Sequence, residues 1–247
     1  TQRNLWLQAS AAGSFGFSRP EDVHENPLHP STVVLASTGV DTYDINPLNG
    51  NGFDSFGTLY AITTDFGNFP NVELKVLYDG NQDKTRTIRS PDNLVWSKAG
   101  MLCVQEDKAE DDTASQDEVL FNGPGVAVNP NEAGIVCFDV DANSNVAVPG
   151  SFERIASVDR SVVKDASIDD PETAIDRNLH QGGAWESSGI IDVSELFDEE
   201  PGTLFIVNVQ AHGIDYQDSF NLDSRITDDD LVEGGQLILL TRDDKDD

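Results

Sequence analysis

Three polar corners along the chain carry residue types that bind cations and anions. The first is the tetrapeptide Arg-Pro-Glu-Asp at 19–22. Its Glu21 carboxylate can ligate a metal ion, and the planar Arg19 guanidinium can bind an anionic group through paired hydrogen bonds. Pro20 stiffens the backbone as it enters a strand. The other interpretation of this tetrapeptide is an ordinary surface ion pair beside a turn.

The second and third corners are also rich in oxygen ligands. Asp92 and Asn93, directly after a proline, supply carboxylate and amide oxygens that suit a hard cation, although an Asx turn that starts a strand has the same sequence. Glu186 opens the third corner, where we expect Trp185 to pack between structural units. His212, at the end of an apolar run, is either a ligand or general acid/base, or a structural histidine.

Two further acidic stretches have more than one interpretation. Glu106 and Asp107 follow an apolar run, and either project toward the corners or begin a solvated loop that extends to Glu118. The segment Asp139–Asn145 is similar to a calcium loop but lacks its central glycine and distal glutamate, which predicts a strand end and a hairpin turn. The sequence contains no glycine-rich phosphate loop, no cysteine-based zinc pattern and no nucleophile elbow.

Each corner opens a unit of short apolar runs separated by Gly, Pro, Asn and Asp, a pattern that predicts an all-β fold. Two units have four predicted strands, and the third is incomplete; they span about 17–85, 86–163 and 184–242. Repeated four-stranded units favour a β-propeller, in which such corners surround a central channel. Helical signals are poor apart from a short helix at Val193–Phe197, capped by Asp192 or Ser194. The stretch Lys164–Gly183 is predicted to be irregular.

The composition is strongly acidic, with 45 Asp and Glu against 15 Lys and Arg and a net charge of -30. Nucleic acid is therefore excluded as a partner, since phosphate binding needs clustered basic residues, and so are anionic membrane surfaces. A solvated surface, many divalent-cation sites and self-repulsion against association all remain open. Among metals, hard oxygen ligands favour calcium.

Two cysteines, Cys103 and Cys137, lie in apolar strand-like runs. Two buried free thiols are favoured over a disulfide on this pattern. No run has the length of a transmembrane helix, and no signal peptide is present. Because the sequence begins at Thr1, we expect a processed or incompletely represented N-terminus.

Several short stretches occur in a specific order along the chain: Phe17–Val23, Val33–Gly39, Gly57–Tyr60, Ser90–Trp96, Val104–Asp107, Gly183–Ile190, Gly202–Phe205 and Val209–His212. In these stretches the units resemble the C-terminal half of the PhoX-type alkaline phosphatases and their bacterial relatives. This resemblance implies a six-bladed propeller, of which the chain would form about two and a half four-stranded blades. It also implies iron and calcium in the channel, hydrolysis of phosphate monoesters, and a secreted, periplasmic or cell-surface location.

The resemblance also implies roles for particular residues. Arg19 would contact phosphate, Glu21 would bind metal, and Asn93 would be the channel asparagine. The metal ligands expected from the corners are Glu21, Asp92, Asn93 and Glu186. The family's iron-binding cysteine and further carboxylates lie in the N-terminal half, so the remaining blades must come from that half or from a second chain. A non-catalytic calcium-stabilised propeller of an extracellular assembly, and another calcium-dependent propeller hydrolase such as a lactonase or phytase, are the alternatives.

Overall fold

The structure is a computed structural model, and strands dominate it. It describes residues 2–39, 54, 56–65, 67, 71–83, 87–107, 133–159, 164–165, 174–176, 185–216 and 232–242. The strands are β1 Pro20–Glu25, β2 Thr32–Ser37, β3 Thr58–Thr64, β4 Val72–Asp79, β5 Pro91–Trp96, β6 Met101–Glu106, β7 Gly134–Asp141, β8 Val146–Ala147, β9 Glu153–Ser157, β10 Lys164–Asp165, β11 Ala174–Asp176, β12 Trp185–Asp192, β13 Leu204–Tyr216 and β14 Val232–Thr241.

These strands form three successive sheets. The first has the order β1-β2-β3-β4, and every neighbouring pair is antiparallel. The second has the order β5-β6-β7-β8, with β9 also paired to β7. The third contains β12, β13 and β14 together with β11 and β10. The predicted all-β class is confirmed, but the stretch 164–183 is not wholly irregular, since β10 and β11 lie in it and extend the third sheet.

The sheets pack face to face in chain order, and the second sheet lies between the other two. Alternation of side chains along β6 explains this arrangement. Leu102 and Val104 pack with the first sheet, whereas Met101 and Cys103 pack with the third. Every residue of β6 is buried. The innermost strands β1, β5 and β12 therefore lie side by side, as expected of consecutive propeller blades.

The outer faces of the first and third sheets keep exposed apolar side chains. On the first sheet, Val23 and Val76 are both 55% exposed. On the third sheet, Ile191, Ile206 and Leu239 are aligned across three strands, and Leu239 is 55% exposed. Within the described residues, no further sheet covers either face. These two outer faces therefore differ from the second sheet, which is buried on both of its faces.

Cys103 and Cys137 form a disulfide, so the prediction of two free thiols was wrong. The two residues are directly opposite each other on the antiparallel strands β6 and β7, with Cα atoms 4.0 Å apart. This close cross-strand position brings the two sulfur atoms within bonding reach. The pairing register that creates it cannot be read from the two apolar runs separately.

The helical parts differ from expectation. Residues Gln2–Ala11 form an α-helix that the sequence analysis did not predict. The predicted short helix is confirmed in position but is a 3-10 helix, Ser194–Phe197, and the Asp192 carboxylate accepts hydrogen bonds from the backbone N–H and hydroxyl of Ser194. Among the described helices, none has the length and apolar character needed to span a membrane.

The predicted hairpin in the acidic segment Asp139–Asn145 is confirmed. Strand β7 ends at Asp141, a turn occupies 142–145, and β8 begins at Val146. The Asp141 carboxylate accepts hydrogen bonds from the backbone N–H groups of Asn143 and Ser144. The carboxylate therefore stabilises its own turn, as aspartate commonly does.

We predict that replacing both cysteines by alanine lowers the free energy of unfolding by about 3–4 kcal/mol. The disulfide closes a loop between residues 34 positions apart and so reduces the entropy of the unfolded chain. Denaturant unfolding of the double variant and of the oxidised and reduced wild type measures the difference. Equal midpoints for oxidised and reduced wild type, with thiol titration proving reduction, would contradict the prediction.

Candidate metal centre

The first two corners share one backbone geometry. Arg19 and Ser90 each precede a proline and have φ angles of 53° and 45°. This left-handed conformation is uncommon outside glycine. The carbonyl of Arg19 accepts a hydrogen bond from the N–H of Thr38, and that of Ser90 accepts one from the N–H of Asp107, both at 2.9 Å. Each corner is therefore fixed to the end of the second strand of its own sheet.

Three carboxylates converge where the innermost strands begin. Asp92 lies at the start of β5, Asp107 follows β6, and Glu186 lies at the start of β12. Each offers a carboxylate oxygen, and these oxygens all lie within 4.8 Å of one another. The structure thus brings together two of the predicted metal ligands, Asp92 and Glu186, and adds Asp107 to them. The group joins the second sheet to the third.

Arg19 connects the remaining predicted carboxylate to this group. Its Nη2 donates to Oδ2 of Asp107 at 2.7 Å, and its Nε donates to Oε1 of Glu21 at 3.3 Å. Glu21 is on the exposed side of the guanidinium, outside the three-carboxylate group. Arg19 therefore balances part of the negative charge that accumulates at this end of the strands.

Asn93 was expected to be a metal ligand, but its side-chain oxygen accepts hydrogen bonds from β12. Its side-chain oxygen accepts hydrogen bonds from the hydroxyl of Ser188 at 3.1 Å and from the N–H of Gly189 at 2.8 Å. Asp22, at the equivalent place in the first corner, accepts a bond from the N–H of Leu94 at 3.0 Å. Both side chains hold the innermost strand of the next sheet, so this oxygen of Asn93 joins β5 to β12.

The electrostatics of the group favour a bound cation. The pKa of Asp92 is raised from its ordinary value of 3.8 to about 6, first by burial and then by the negative charges of Asp107 and Glu21, against the lowering effect of Arg19. A carboxyl whose pKa is higher in the folded protein destabilises the fold as pH rises from about 4 to about 6. Above that range the repulsion is fully present, and a cation between the carboxylates would relieve it.

Glu106, the residue directly before Asp107, forms a buried ion pair with Arg154. Glu106 is 0% exposed and accepts bonds from Nη1 and Nη2 of Arg154 at 2.6 and 2.8 Å. It also accepts the backbone N–H groups of Arg89 and Gly134, each at 3.1 Å. The alternative of a solvated loop is therefore wrong for Glu106, and also for Asp107, which is bonded to Arg19. The rest of that acidic stretch lies outside the described residues.

The donor set consists of oxygen atoms. Because Cys103 and Cys137 are joined to each other, neither offers a thiolate. Three carboxylates suit a hard cation such as calcium, magnesium or manganese. The side chain of His212 lies outside what the structure describes. Trp185 is buried against Ala211 and Val158, which confirms its predicted packing role between the third and second sheets.

Asp107 was the member of the group that sequence reasoning did not include among the ligands. Its position follows from strand pairing, since Pro91 is opposite Glu106 and the next residue continues toward the corner. Regular pairing extended from the turn at 97–100 would have placed Glu106 opposite Asp92, and the register shift between Pro91 and Leu94 changes that pairing. The pattern of acids alone did not distinguish it from the loop that follows.

A comparison with solved structures finds similarity to PhoX of Pseudomonas fluorescens, solved in complex with vanadate, a transition state analogue. The TM-score is 0.52 at 15% sequence identity, and the match covers 96% of this chain and 36% of the PhoX chain. The chain is part of a β-propeller. It spans about a third of the solved protein's length, and at this identity the similarity concerns the fold. No protein-family model matches, and a search of curated proteins finds no match.

We predict that Arg154→Met lowers the free energy of unfolding by about 1.5–3 kcal/mol, because the buried Glu106 carboxylate loses both hydrogen bonds from Arg154 and keeps, among the described guanidinium groups, only that of Arg89, at 3.9 Å. Chemical denaturation measures the loss. The control is Lys98→Met, which breaks the exposed ion pair with Glu195 and should cost at most about 1 kcal/mol. The explanation by burial fails if both variants lose the same stability.

We also predict opposite effects of Asp92→Asn with and without calcium. With a chelator at pH 8, the variant should melt above the wild type, because one of the repelling charges is gone. With calcium, the wild type should gain more than the variant, since only binding to the native state stabilises it. At pH 5 the chelator difference should shrink, because Asp92 is then largely protonated in the wild type.

The matched control for this experiment is Asp198→Asn, which changes an exposed aspartate at the end of the 3-10 helix. It should respond to calcium and pH as the wild type does. A wild-type melting midpoint that does not respond to calcium at pH 8 would contradict the assignment of a cation site.

Proposed function

We propose that this chain forms part of the metal-dependent active site of a phosphomonoester hydrolase similar to the PhoX-type alkaline phosphatases. The observation that carries the proposal is the convergence of Asp92, Asp107 and Glu186 beside the Arg19 guanidinium. Cation ligands next to a fixed guanidinium are the combination that phosphoryl transfer needs. The similarity of the fold to that of PhoX supports the same proposal.

Each residue has a distinct task in this proposal. Asp92, Asp107 and Glu186 hold a cation, with Glu21 contributing at the exposed side. Calcium suits these oxygen donors, whereas iron is expected where the family's cysteine would lie, in the remaining blades. When bound, the metal ions polarise the phosphoryl oxygens and lower the pKa of an oxygen nucleophile. Asn93 keeps β5 and β12 together and so fixes the spacing of the ligands.

Arg19 recognises the substrate in this scheme. In the structure its fork is shared between Asp107 and Glu21. When Asp107 and Glu21 bind cations instead of Arg19, the guanidinium can donate two parallel hydrogen bonds to phosphoryl oxygens. The pairing with the carboxylates keeps the side chain at the site before substrate arrives, which reduces the entropy lost on binding.

Further blades complete the ring in this proposal, and the three units of the chain belong to one propeller domain. The exposed apolar faces of the first and third sheets are the surfaces on which those blades pack. They come from an N-terminal half or from a second chain. The partial coverage of the PhoX chain supports a longer assembly. The disulfide supports an oxidising location, such as the periplasm, the cell surface or the extracellular medium.

A non-catalytic propeller stabilised by calcium is the second candidate function. The observation that favours it is the engagement of Arg19 by two carboxylates, which neutralises the guanidinium without any substrate. Metal analysis separates the two candidates, because iron together with calcium favours catalysis. Substrate profiling separates the phosphatase from a calcium-dependent lactonase or phytase.

We predict that Arg19→Ala in the completed propeller reduces transition-state stabilisation by about 2–4 kcal/mol, measured as kcat/KM on a phosphate monoester. Arg19→Lys should restore activity only in part, because an ammonium group lacks the bidentate fork. Arg242→Ala is the control, since Arg242 pairs with Glu153 away from the group.

Glu21→Gln should remove most turnover and lower the metal content of the same assembly. Unchanged activity and metal content in that variant would exclude Glu21 from the mechanism. Strong phosphatase activity from the 247 residues by themselves would contradict the need for further blades.

A further inference from the structure

Gln105 is a buried polar side chain that the packing of the core does not explain. It is 0% exposed in the middle of the second sheet. Within the described part of the chain, neither its amide oxygen nor its amide nitrogen has a hydrogen-bond partner. Buried amides in native proteins are nearly always bonded, so one without a partner indicates a bound water, ion or ligand group at that point.

The direction of this side chain follows from its position on β6. Side chains alternate along a strand, so Cys103, Gln105 and Asp107 share one face. Cys103 packs against Ile190 and Phe205 of the third sheet. Asp107 belongs to the three-carboxylate group. Gln105 therefore lies between the apolar interface and the carboxylates, on the side that faces β12.

The strands that neighbour β6 carry two of the same carboxylates, Asp92 on β5 and Glu186 on β12. On one side, Pro91 is paired with Glu106 and Leu94 with Val104, so the irregular residues Asp92 and Asn93 are opposite Gln105. In a bulge of this kind, two residues of one strand lie opposite a single residue of its neighbour. Asp92, a member of the three-carboxylate group, therefore lies opposite Gln105 on the neighbouring strand.

The other neighbours come from β7 and β12. Gln105 is paired with Ile135, and the carbonyl of the preceding Gly134 accepts a hydrogen bond from the hydroxyl of Ser187 at 3.2 Å. Ser187 directly follows Glu186. The third carboxylate is therefore carried by the segment of β12 that crosses this part of β6 and β7.

We propose that Gln105 is a further ligand of the cation site, with its amide oxygen binding the same ion as Asp92, Asp107 and Glu186. This inference rests on the cation site of the proposed function and adds a neutral ligand to it. Calcium binds carboxylate and side-chain carbonyl oxygens together in six- to eight-fold coordination. Three carboxylates already exceed the charge of a divalent ion, so a neutral oxygen adds a ligand without adding repulsion.

The two ends of the amide have separate roles in this site. The oxygen binds the ion, while the NH₂ group donates to a carboxylate oxygen that the ion has drawn toward it. Ligation of the ion therefore satisfies both ends of a side chain that otherwise has no partner. Methionine has nearly the same length and volume but supplies neither a hard oxygen ligand nor an N–H donor.

The test is calcium binding by the purified full chain and its Gln105→Met variant, measured by titration calorimetry and by thermal melting in calcium and in chelator. We expect calcium affinity to fall about 10–100-fold, the range seen when supporting groups of a metal site are removed. In chelator, the variant should melt at or above the wild-type midpoint, because the unpaired amide is gone. Gln236→Met, on the exposed strand β14, is the matched control and should leave both quantities unchanged.

Gln105→Glu provides a second variant of similar shape. A fourth carboxylate should lower the melting midpoint in chelator and increase the rise that calcium produces. Unchanged calcium affinity in Gln105→Met, or a calcium response of Gln105→Glu equal to that of the wild type, would overturn the proposal.

The failure of the proposed function gives a different result. A wild type that binds no calcium would overturn the cation site and the role of Gln105 together. A wild type that binds calcium through Gln105, in an assembly without phosphatase activity, would support the ligand and contradict the phosphatase.

Discussion

The structure depends on the burial of the second sheet on both of its faces. Strand β6 has no exposed residue, because alternate side chains enter the core shared with the first sheet and the core shared with the third. A strand of this kind cannot tolerate a shift of one residue, since every side chain would change cores. The same register aligns the ends of β5, β6 and β12, which is where the carboxylates meet. The register of β6 therefore determines both the packing of the sheets and the position of the candidate site.

The fold was largely predictable because short strands separated by turn residues have a local sequence pattern that can be recognised. The runs that begin at the two prolines, and the four strands of the first unit, appear as expected. The helix Gln2–Ala11 did not, although glutamine, leucine and alanine favour helices, because a single short helix is weak against a background of strands. Strands β10 and β11 have only 2 and 3 residues, which is too short for a recognisable strand pattern in the sequence.

The site was predictable in part, for a physical reason. Asp92 and Glu186 stand at strand starts, where a local corner marks them. Asp107 and Gln105 acquire their positions from pairing across strands, which composition does not record. The case of Glu106 is similar, because the same acid is a solvated loop residue or a buried ion-pair partner, according to whether Arg154, from a distant strand, reaches it. Long-range register separates these outcomes.

The disulfide also affects how the protein is assembled. It joins β6 to β7 inside one sheet and links none of the sheets to another. Oxidation therefore needs only the folding of the second unit, which can precede the docking of its neighbours as the chain emerges. Contacts between sheets are non-covalent and consist of apolar packing, hydrogen bonds such as those that Asp22 and Asn93 accept, and the ion pair of Arg19 with Asp107. The second unit, held together by its disulfide, can thus stay folded while the first and third units pack against it reversibly.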